Sequence, residues 1–342
     1  MGDGQTDGIL HITVAPDGSG DCRAVQDAVD AVPKDYAGRT VIHIRPGIYR
    51  QKVKIEKPRI SLEGEDAEST VMTWNDSAGK MFSDGEKCGT FRSYSTYISG
   101  DGFTAENITF ENTAGKEHVA GQALAASVMA DRAFFRGCRF LGCQDTLFTG
   151  PLPPASGLPD GFRGPDEYRP RKDTRQYYEH CLIRGDVDFI FGSATAVFSR
   201  CRIDANERER DGNGYLTAAS TPKGKKYGYV FLDCDLTGRA RPGTYYLGRP
   251  WRDFAKTVYI RCHMGLHIRP EGFCDWHKPQ AAASTVFYAE YGCAGPGARL
   301  AGRAPWVRRL TDEEAGHYTI REILFSDGWN PADAGVWLPD GE

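Results

Sequence analysis

The segment Phe135-Arg-Gly-Cys138-Arg-Phe140 contains a pattern that returns along the chain: an aromatic residue, two residues, a cysteine, one residue and an apolar residue. Four more copies follow: Tyr178-Glu-His-Cys181-Leu-Ile183, Phe198-Ser-Arg-Cys201-Arg-Ile203, Phe231-Leu-Asp-Cys234-Asp-Leu236 and Tyr259-Ile-Arg-Cys262-His-Met264. Successive cysteines are 43, 20, 33 and 28 residues apart. One strand signature every 20 to 30 residues or so is typical of a solenoid of stacked coils.

The rest of the chain supports this interpretation. Forty of the 342 residues are glycine, which favours many turns over a helical bundle. We therefore predict an all-β fold, a single-stranded right-handed parallel β-helix that forms one domain over residues 1–342. An amphipathic helix from Val25 to Val32, ended by Pro33, is expected to cap the N-terminal end. The capping box that begins at Thr311 predicts a short C-terminal helix over the other end.

The 43-residue interval contains a segment rich in proline and glycine, residues 150–173. Insertions in solenoids map to loops, so we expect this segment to leave a single coil as a loop insertion. The five repeat cysteines lack the paired spacing of metal ligands. We interpret them as small apolar residues that stack as free thiols inside successive coils.

Charge and hydropathy exclude several classes of partner. The chain has 42 basic and 46 acidic residues, a formal net charge of −4, and no basic block, which disfavours nucleic acid and anionic membranes. No apolar run is long enough to cross a bilayer. The N-terminal residues show no secretory signal, so a cytoplasmic location is expected, although a secreted protein trimmed of its leader would look the same.

Two aspartates follow two successive repeats. Asp145 lies in Gln144-Asp145-Thr-Leu-Phe, and Asp188 lies directly before Phe-Ile-Phe191. Stacking of the coils could place both carboxylates on one face, and a carboxylate beside an apolar run needs a partner. Arg249 is a candidate for that partner, and Trp251 offers a flat apolar face to a sugar ring. On these residues alone, solvated turn acids and a surface turn with a packed tryptophan remain alternatives.

Four segments occur in order at solenoid spacings: Gly121-Gln122-Ala-Leu-Ala, Gly142-Cys-Gln144-Asp145-Thr-Leu, Val187-Asp188-Phe-Ile-Phe-Gly and Leu247-Gly-Arg249-Pro-Trp251. Together they closely resemble the pectin methylesterases, the β-helical carbohydrate esterases that remove methyl groups from polygalacturonate. Weaker motifs extend the resemblance from about residue 11 to residue 329.

The resemblance implies a role for each matching residue. Asp188 would be the nucleophile and Asp145 the general acid/base, and the Asp188 charge would raise the pKa of Asp145. Gln122 and Gln144 would stabilise the oxyanion, and Arg249 would pair with Asp188 and favour its ionised form. The resemblance implies no metal and no cofactor. The expected partner is methyl-esterified homogalacturonan or oligogalacturonides, and the protein is expected to be a monomer.

Three more residues are assigned to substrate binding, namely Trp251, Phe191 and Ser95. The Ser95 assignment departs from the family pattern, which usually has a Ser-Ala-Thr run where this chain has Ser93-Tyr-Ser95-Thr96. Gln51 replaces a glutamate of the family, for which we expect a structural role. Because the insertion follows Asp145 closely, we expect it to wall off part of the groove and favour short oligomers, the alternative being a loop that packs on the solenoid flank.

Rival functions remain open at this point. Paired carboxylates on a β-helix also serve glycoside hydrolysis, which would leave the two glutamines and the Arg-Trp pair without a role. A lyase is disfavoured because no clustered acidic calcium site is evident. A non-enzymatic sugar-binding solenoid would keep Trp251 but would not need both aspartates.

Overall fold

The computed structural model describes residues 8–83, 85–114, 121–157, 161–208, 212–325 and 327–329. In these ranges the chain winds repeatedly through three sheets, and every strand pairs in parallel with strands of the neighbouring coils. From β2 (Arg39–Ile44) to β22 (Tyr245–Tyr246), crossovers from one sheet to the next place consecutive strands in different sheets. The chain is therefore a parallel β-helix, as predicted.

Strands are numbered along the chain. Sheet A has the strand order β1 (Ile9–Val14), β2 (Arg39–Ile44), β5 (Ile60–Gly64), β8 (Thr104–Glu106), β11 (Ala133–Arg136), β14 (Arg175–Glu179), β17 (Thr195–Ser199), β20 (Tyr229–Leu232), β24 (Lys256–Ile260), β26 (Phe287–Tyr291) and β27 (Arg308–Arg309). Sheet B consists of β3 (Gly47–Arg50), β6 (Thr70–Trp74), β9 (Thr109–Asn112), β12 (Arg139–Leu141), β15 (Leu182–Gly185), β18 (Arg202–Ala205), β21 (Asp235–Gly238) and β25 (His263–Met264). Sheet C consists of β4 (Val53–Ile55), β7 (Thr96–Ile98), β10 (Ala126–Val128), β13 (Leu147–Thr149), β16 (Val187–Gly192), β19 (Gly214–Ala219) and β22 (Tyr245–Tyr246), and β23 (Arg249–Pro250) also pairs with β19.

The repeated sequence pattern spans the corner between sheets A and B. Its aromatic residue lies in a strand of sheet A, and its last apolar residue lies in the next strand of sheet B. The residue before each cysteine has a positive φ, between 51° and 58°, at Gly137, His180, Arg200, Asp233 and Arg261. A single left-handed residue turns the chain sharply, although four of these five residues are not glycine.

Stacked side chains form the core of the coils. Four successive ring pairs of the repeat stack with centroids 4.5–4.9 Å apart and interplanar angles of 3–12°: Phe135–Tyr178, Tyr178–Phe198, Phe198–Phe231 and Phe231–Tyr259. The repeat cysteines are free and buried. Their thiols donate to carbonyls of the preceding coil, as in Cys201 Sγ to Tyr178 O at 3.3 Å. The interpretation of these cysteines as stacked core thiols is confirmed.

The N-terminal helix covers the end of the solenoid as predicted. Helix α1 (Val25–Ala31) buries Val25, Ala28 and Val29 against β1, β2 and β4. The Gln51 side-chain oxygen accepts a hydrogen bond from the Gln26 backbone N–H at 3.0 Å, so Gln51 has a structural contact at the start of this helix.

The remaining helices are α2 (Pro279–Ser284), α3 (Asp312–Gly316) and α4 (Ile320–Leu324). Thr311 and Glu314 form the expected capping box at α3. Helix α3 is the predicted short C-terminal helix, and the next helix, α4, packs on β14 and β17. The outer face of sheet A is apolar at this point, and buried Tyr177 and Val197 pack in one cluster with Ile320.

Residues 150–173 leave the coil between β13 and β14 and contact sheet C. The Tyr97 hydroxyl donates to Asp166, and Arg169 donates to Ser99 Oγ at 3.2 Å. Arg171 Nε donates to Leu152 O at 3.1 Å within the segment. Polar contacts therefore hold the segment against the solenoid. In the described part of the chain, no helix has both the length and the apolar character needed to span a membrane.

Candidate active site

Asp145 and Asp188 occupy the same position in neighbouring coils. In the ladder between β13 and β16, Leu147 pairs with Ile190. Asp145 lies two residues before Leu147, and Asp188 lies two residues before Ile190. The Asp145 N–H donates to Val187 O at 2.9 Å, so a backbone hydrogen bond joins the two neighbouring coils at the aspartates. Both aspartates have positive φ, 62° and 50°, and both are buried. Neighbouring strands lie about 4.8 Å apart, so the predicted juxtaposition of the carboxylates follows from the stacking.

The two carboxyls have different environments. Burial raises the pKa of Asp145 well above its ordinary value, and the Asp188 charge raises it further. The sequence suggested the second cause, but burial is the larger one. Burial also raises the pKa of Asp188, whereas hydrogen bonding to Arg249 and its positive charge oppose that rise. Asp145 is therefore the better proton holder and Asp188 the better anion.

Arg249 forms the predicted pair with Asp188. Nε donates to Oδ1 at 2.8 Å and Nη2 donates to Oδ2 at 2.5 Å, a bidentate arrangement. Strand β23 places Arg249 opposite Ala218 of β19. Strand β19 pairs on its other side with β16, the strand that contains Asp188. Only 16% of the Arg249 side chain is exposed. A desolvated bidentate pair of this kind fixes the carboxylate and favours its charged form.

Two glutamine amides lie in the adjoining coils. The Ala123 N–H, next to Gln122, donates to Gln144 O at 3.1 Å, so the two glutamines lie in neighbouring coils. Both side chains are half-buried. Within the described ranges neither side-chain amide has a hydrogen-bond partner. These N–H groups are thus available to an incoming oxygen atom.

An aromatic surface borders the carboxylates. The Phe191 ring lies 5.7 Å from Trp251 and 5.0 Å from Phe148. Phe162 of the insertion packs edge-on to Phe91 at 5.4 Å and to Trp251 at 6.5 Å. The insertion therefore reaches the aromatic surface as well as the flank of sheet C. Phe191 is almost wholly buried and Trp251 is half-buried, so Trp251 offers the more accessible face.

Ser95 does not join the other predicted residues. Its side chain is fully buried, and its hydroxyl donates to Glu111 O at 2.6 Å. The assignment of Ser95 to substrate binding is therefore not supported, because the Glu111 carbonyl already accepts the hydrogen bond of its hydroxyl. The residue type suggested a free hydroxyl, but the fold buries the Ser95 side chain and pairs its hydroxyl with a backbone carbonyl.

Two contacts of the site were missed at the sequence level. The Arg249 guanidinium lies between the rings of Tyr215 and Trp276, with Cζ 3.9 Å and 3.7 Å from their centres. Tyr215 belongs to β19 and could have been found from its register with Val187. Trp276 lies outside the strands in a segment without a recognisable motif, so nothing in the sequence pointed to it.

The arrangement combines a carboxylate paired with an arginine, a neighbouring carboxyl whose burial favours the protonated form, and two amide donors without a partner among the described residues. These are the components of nucleophilic acyl transfer. Among the described residues, no three or more histidine, cysteine, aspartate or glutamate side chains come together as metal ligands would.

A parallel β-helix that carries this constellation beside an aromatic surface defines the class of β-helical enzymes that act on sugar polymers. The family model "Pectinesterase" matches residues 11–151 and 170–327. The chain is 41% identical over 334 residues to Pectinesterase 31 of Arabidopsis thaliana, covering 96% of this chain and 94% of that protein. The chain belongs to the pectinesterase family.

Solved structures agree with this assignment. Pectin methylesterase from carrot matches with a TM-score of 0.81 and 31% identity over 96% of each chain. A pectin methylesterase in complex with a hexasaccharide matches with a TM-score of 0.76 and 29% identity, covering 94% of this chain and 98% of the other. The family model leaves out residues 152–169, which lie inside the insertion.

Proposed function

We propose that this protein hydrolyses the methyl esters of pectin or methylated oligogalacturonides to free carboxylates and methanol. The observation that carries the proposal is the asymmetry of the buried carboxylate pair, because Arg249 forms its bidentate bond with Asp188 while burial favours the protonated form of Asp145. One group is thereby suited to attack and the other to proton transfer. Membership of the pectinesterase family supports the same chemistry.

In the first step, the Asp188 carboxylate attacks the ester carbonyl carbon and the carbonyl oxygen becomes an oxyanion. The side-chain amides of Gln122 and Gln144 donate to this oxyanion. The bond from the carbonyl carbon to the methoxy oxygen then breaks, and Asp145 gives its proton to that oxygen. Methanol leaves, and the substrate acyl group remains on Asp188 as an anhydride.

In the second step, the Asp145 carboxylate takes a proton from water while the water oxygen attacks the substrate carbonyl of the anhydride. The bond to the Asp188 oxygen breaks, which restores the Asp188 carboxylate and the protonated Asp145. The product is a galacturonate carboxyl group. This sequence balances without a metal ion or a cofactor, and Arg249 stabilises Asp188 whenever it is anionic.

Trp251 would hold a galacturonate ring, and Phe191 would support that surface from below. The insertion contributes Phe162 to the same surface, and Arg252 Nη2 donates to Ala155 O at 2.7 Å, which holds the insertion beside it. We propose that residues 150–173 narrow the groove and favour short methylated oligomers over the polymer. The closeness of Phe162 to Trp251 supports this proposal.

The decisive experiment measures methanol and new reducing ends together, with methylated polygalacturonan as the substrate. Methanol without new reducing ends is expected. New reducing ends would instead indicate a glycoside hydrolase, and binding without either product would indicate a sugar-binding solenoid. The Asp188→Asn variant, which is nearly isosteric, should release no methanol, and more than about a hundredth of wild-type turnover would contradict a nucleophilic Asp188.

The remaining expectations about partners and location stay predictions. A monomeric state is tested by light scattering of the purified full chain. The absence of nucleic-acid binding is tested by a gel-shift measurement. The cytoplasmic location is tested by fractionation of cells that express the natural gene.

A further inference from the structure

The Arg249 guanidinium is enclosed on both faces by aromatic rings, as described above. We propose that Tyr215 and Trp276 are positioning residues that clamp this guanidinium and thereby fix it against the Asp188 carboxylate. The proposal rests on the proposed function, in which Asp188 must be anionic to attack. It gives these two residues a role that acts through Arg249.

The planar geometry of the guanidinium group explains how two rings can fix its orientation toward Asp188. All five N–H donors of an arginine lie in the plane of the group, so rings on both faces leave only the edges free to bond. One edge carries Nε and Nη2, which donate to the two oxygens of Asp188. The rings also keep water away from both faces, and cation–π attraction is stronger in a desolvated setting. The clamp therefore allows the productive edge-on contact and hinders rotation out of it.

Tyr215 is backed by further layers. Its ring stacks on Tyr246, with centroids 5.4 Å apart and an interplanar angle of 10°. Arg269 covers the next ring, with Cζ 5.0 Å from the centre of Tyr246. Arg269 is itself held by Glu271 and by Asn213 Oδ1 at 2.9 Å. Cations and rings thus form one series of stacked contacts, and the stacking of Tyr246 on Tyr215 supports the ring that contacts Arg249.

Trp276 is presented by a turn with an unusual backbone. Trp276 and His277 both have positive φ, 50° and 58°, in consecutive positions. The His277 N–H donates to Asp275 Oδ1 at 3.0 Å, and Lys278 Nζ donates to Trp251 O at 2.9 Å. Non-glycine residues in this conformation are strained and persist where their surroundings hold them. The turn is therefore fixed in a shape that places the indole over Arg249.

The clamp has a consequence for proton binding at Asp188. Titratable groups that act on or face this carboxyl are Arg249, Asp186, Asp145, Tyr215 and Tyr288. Of these, Arg249 is the group that favours the anion. Without one ring, water would compete for the guanidinium and weaken its bond to Asp188. The pKa of Asp188 would then rise, and the acid limb of the rate profile would move to higher pH.

The test compares three variants with the wild type in kcat, KM and pH profile. Trp276→Leu removes the π face and should lower kcat about tenfold and shift the acid limb upward by about one pH unit. Trp276→Phe keeps a ring and should recover most of both effects. Phe287→Leu is the matched control, since Arg308 lies 4.8 Å from its ring on the outer face of sheet A. It should change neither quantity.

A rise in KM with kcat and the pH profile unchanged would overturn the proposal and make Trp276 a substrate contact. A loss of kcat that is equal at all pH values would also overturn it and indicate a structural role. A ¹³C-carboxyl titration of Asp188, assigned by its disappearance in Asp188→Asn, gives a readout that does not need turnover. If the wild type releases no methanol, the proposed function fails, while this titration still tests the clamp by comparing Trp276→Leu with the wild type.

Discussion

Removal of the two glutamine amides separates catalysis from stability in this protein. Gln122 and Gln144 lie in adjoining coils, and their half-buried side-chain amides have no hydrogen-bond partner among the described residues. Truncation to alanine therefore breaks no hydrogen bond to a described residue of the free enzyme. Substitutions of that kind usually change the free energy of unfolding by less than about 0.5 kcal/mol. Each single variant should unfold at close to the wild-type temperature.

Turnover should respond very differently. One oxyanion donor contributes about 2.7–4 kcal/mol to the activation free energy, which corresponds to about 10²–10³ in kcat. Because the oxyanion forms only after attack, KM should change much less than kcat. In the proposed mechanism both amides donate to the same oxygen, so the double variant Gln122→Ala/Gln144→Ala should lose less than the product of the single losses.

The assay is methanol release at saturating methylated oligogalacturonide, with thermal unfolding of each variant as the control for folding. Gln122→Glu is a useful companion variant, because it keeps the shape of the side chain but replaces the donor with an anion. It should be at least as inactive as Gln122→Ala. An effect confined to KM, or a kcat within a factor of about three of the wild type, would refute the oxyanion role.

Three further predictions follow from the same site. Asp145→Asn should release no methanol but should unfold at a higher temperature than the wild type at neutral pH. The pKa of Asp145 is raised in the folded protein, so the contribution of this group to stability is complete at acid pH. That contribution is lost as the pH rises through the raised pKa. Thermal unfolding from acid to neutral pH checks this, and parallel curves for the two proteins would contradict it. Replacement of residues 152–169 with a Gly-Ser linker should lower the ratio of kcat/KM on short oligomers to that on polymer, and an unchanged ratio would leave the insertion as a loop packed on the flank. Methanol release should persist in EDTA and in a reductant, whereas loss in EDTA or a mass increase on reduction would argue against the metal-free scheme or the free thiols.

The solenoid core was predictable because the pattern that encodes it is local. An aromatic residue and a cysteine at fixed spacing occupy equivalent places in each coil, so their recurrence shows which side chains stack. The turn that joins sheets A and B was not predictable in the same way. His180, Arg200 and Asp233 share a left-handed backbone but differ in the charge and size of their side chains, so no single residue type marks the turn.

The residues of the site also differ in how far the sequence could predict them. Asp145, Asp188 and Arg249 lie in ordered motifs, so the sequence identified them before their geometry was known. Trp276 belongs to no motif and meets Arg249 only through the path of the chain after sheet C. Ser95 illustrates the opposite error, because residue type suggested a ligand where the direction of the side chain gives it a backbone partner.

The shared position of Asp145 and Asp188 has a consequence for how such a site can arise. Translation along the solenoid axis presents the same residue twice, as a two-fold axis does in a dimer. The backbone ladder sets the spacing of the pair, so no special loop is needed to bring two acids together. Arg249 breaks this translational symmetry by bonding to one copy only. A repetitive scaffold thus obtains two chemically distinct groups from one structural position, at the cost of a single asymmetric neighbour.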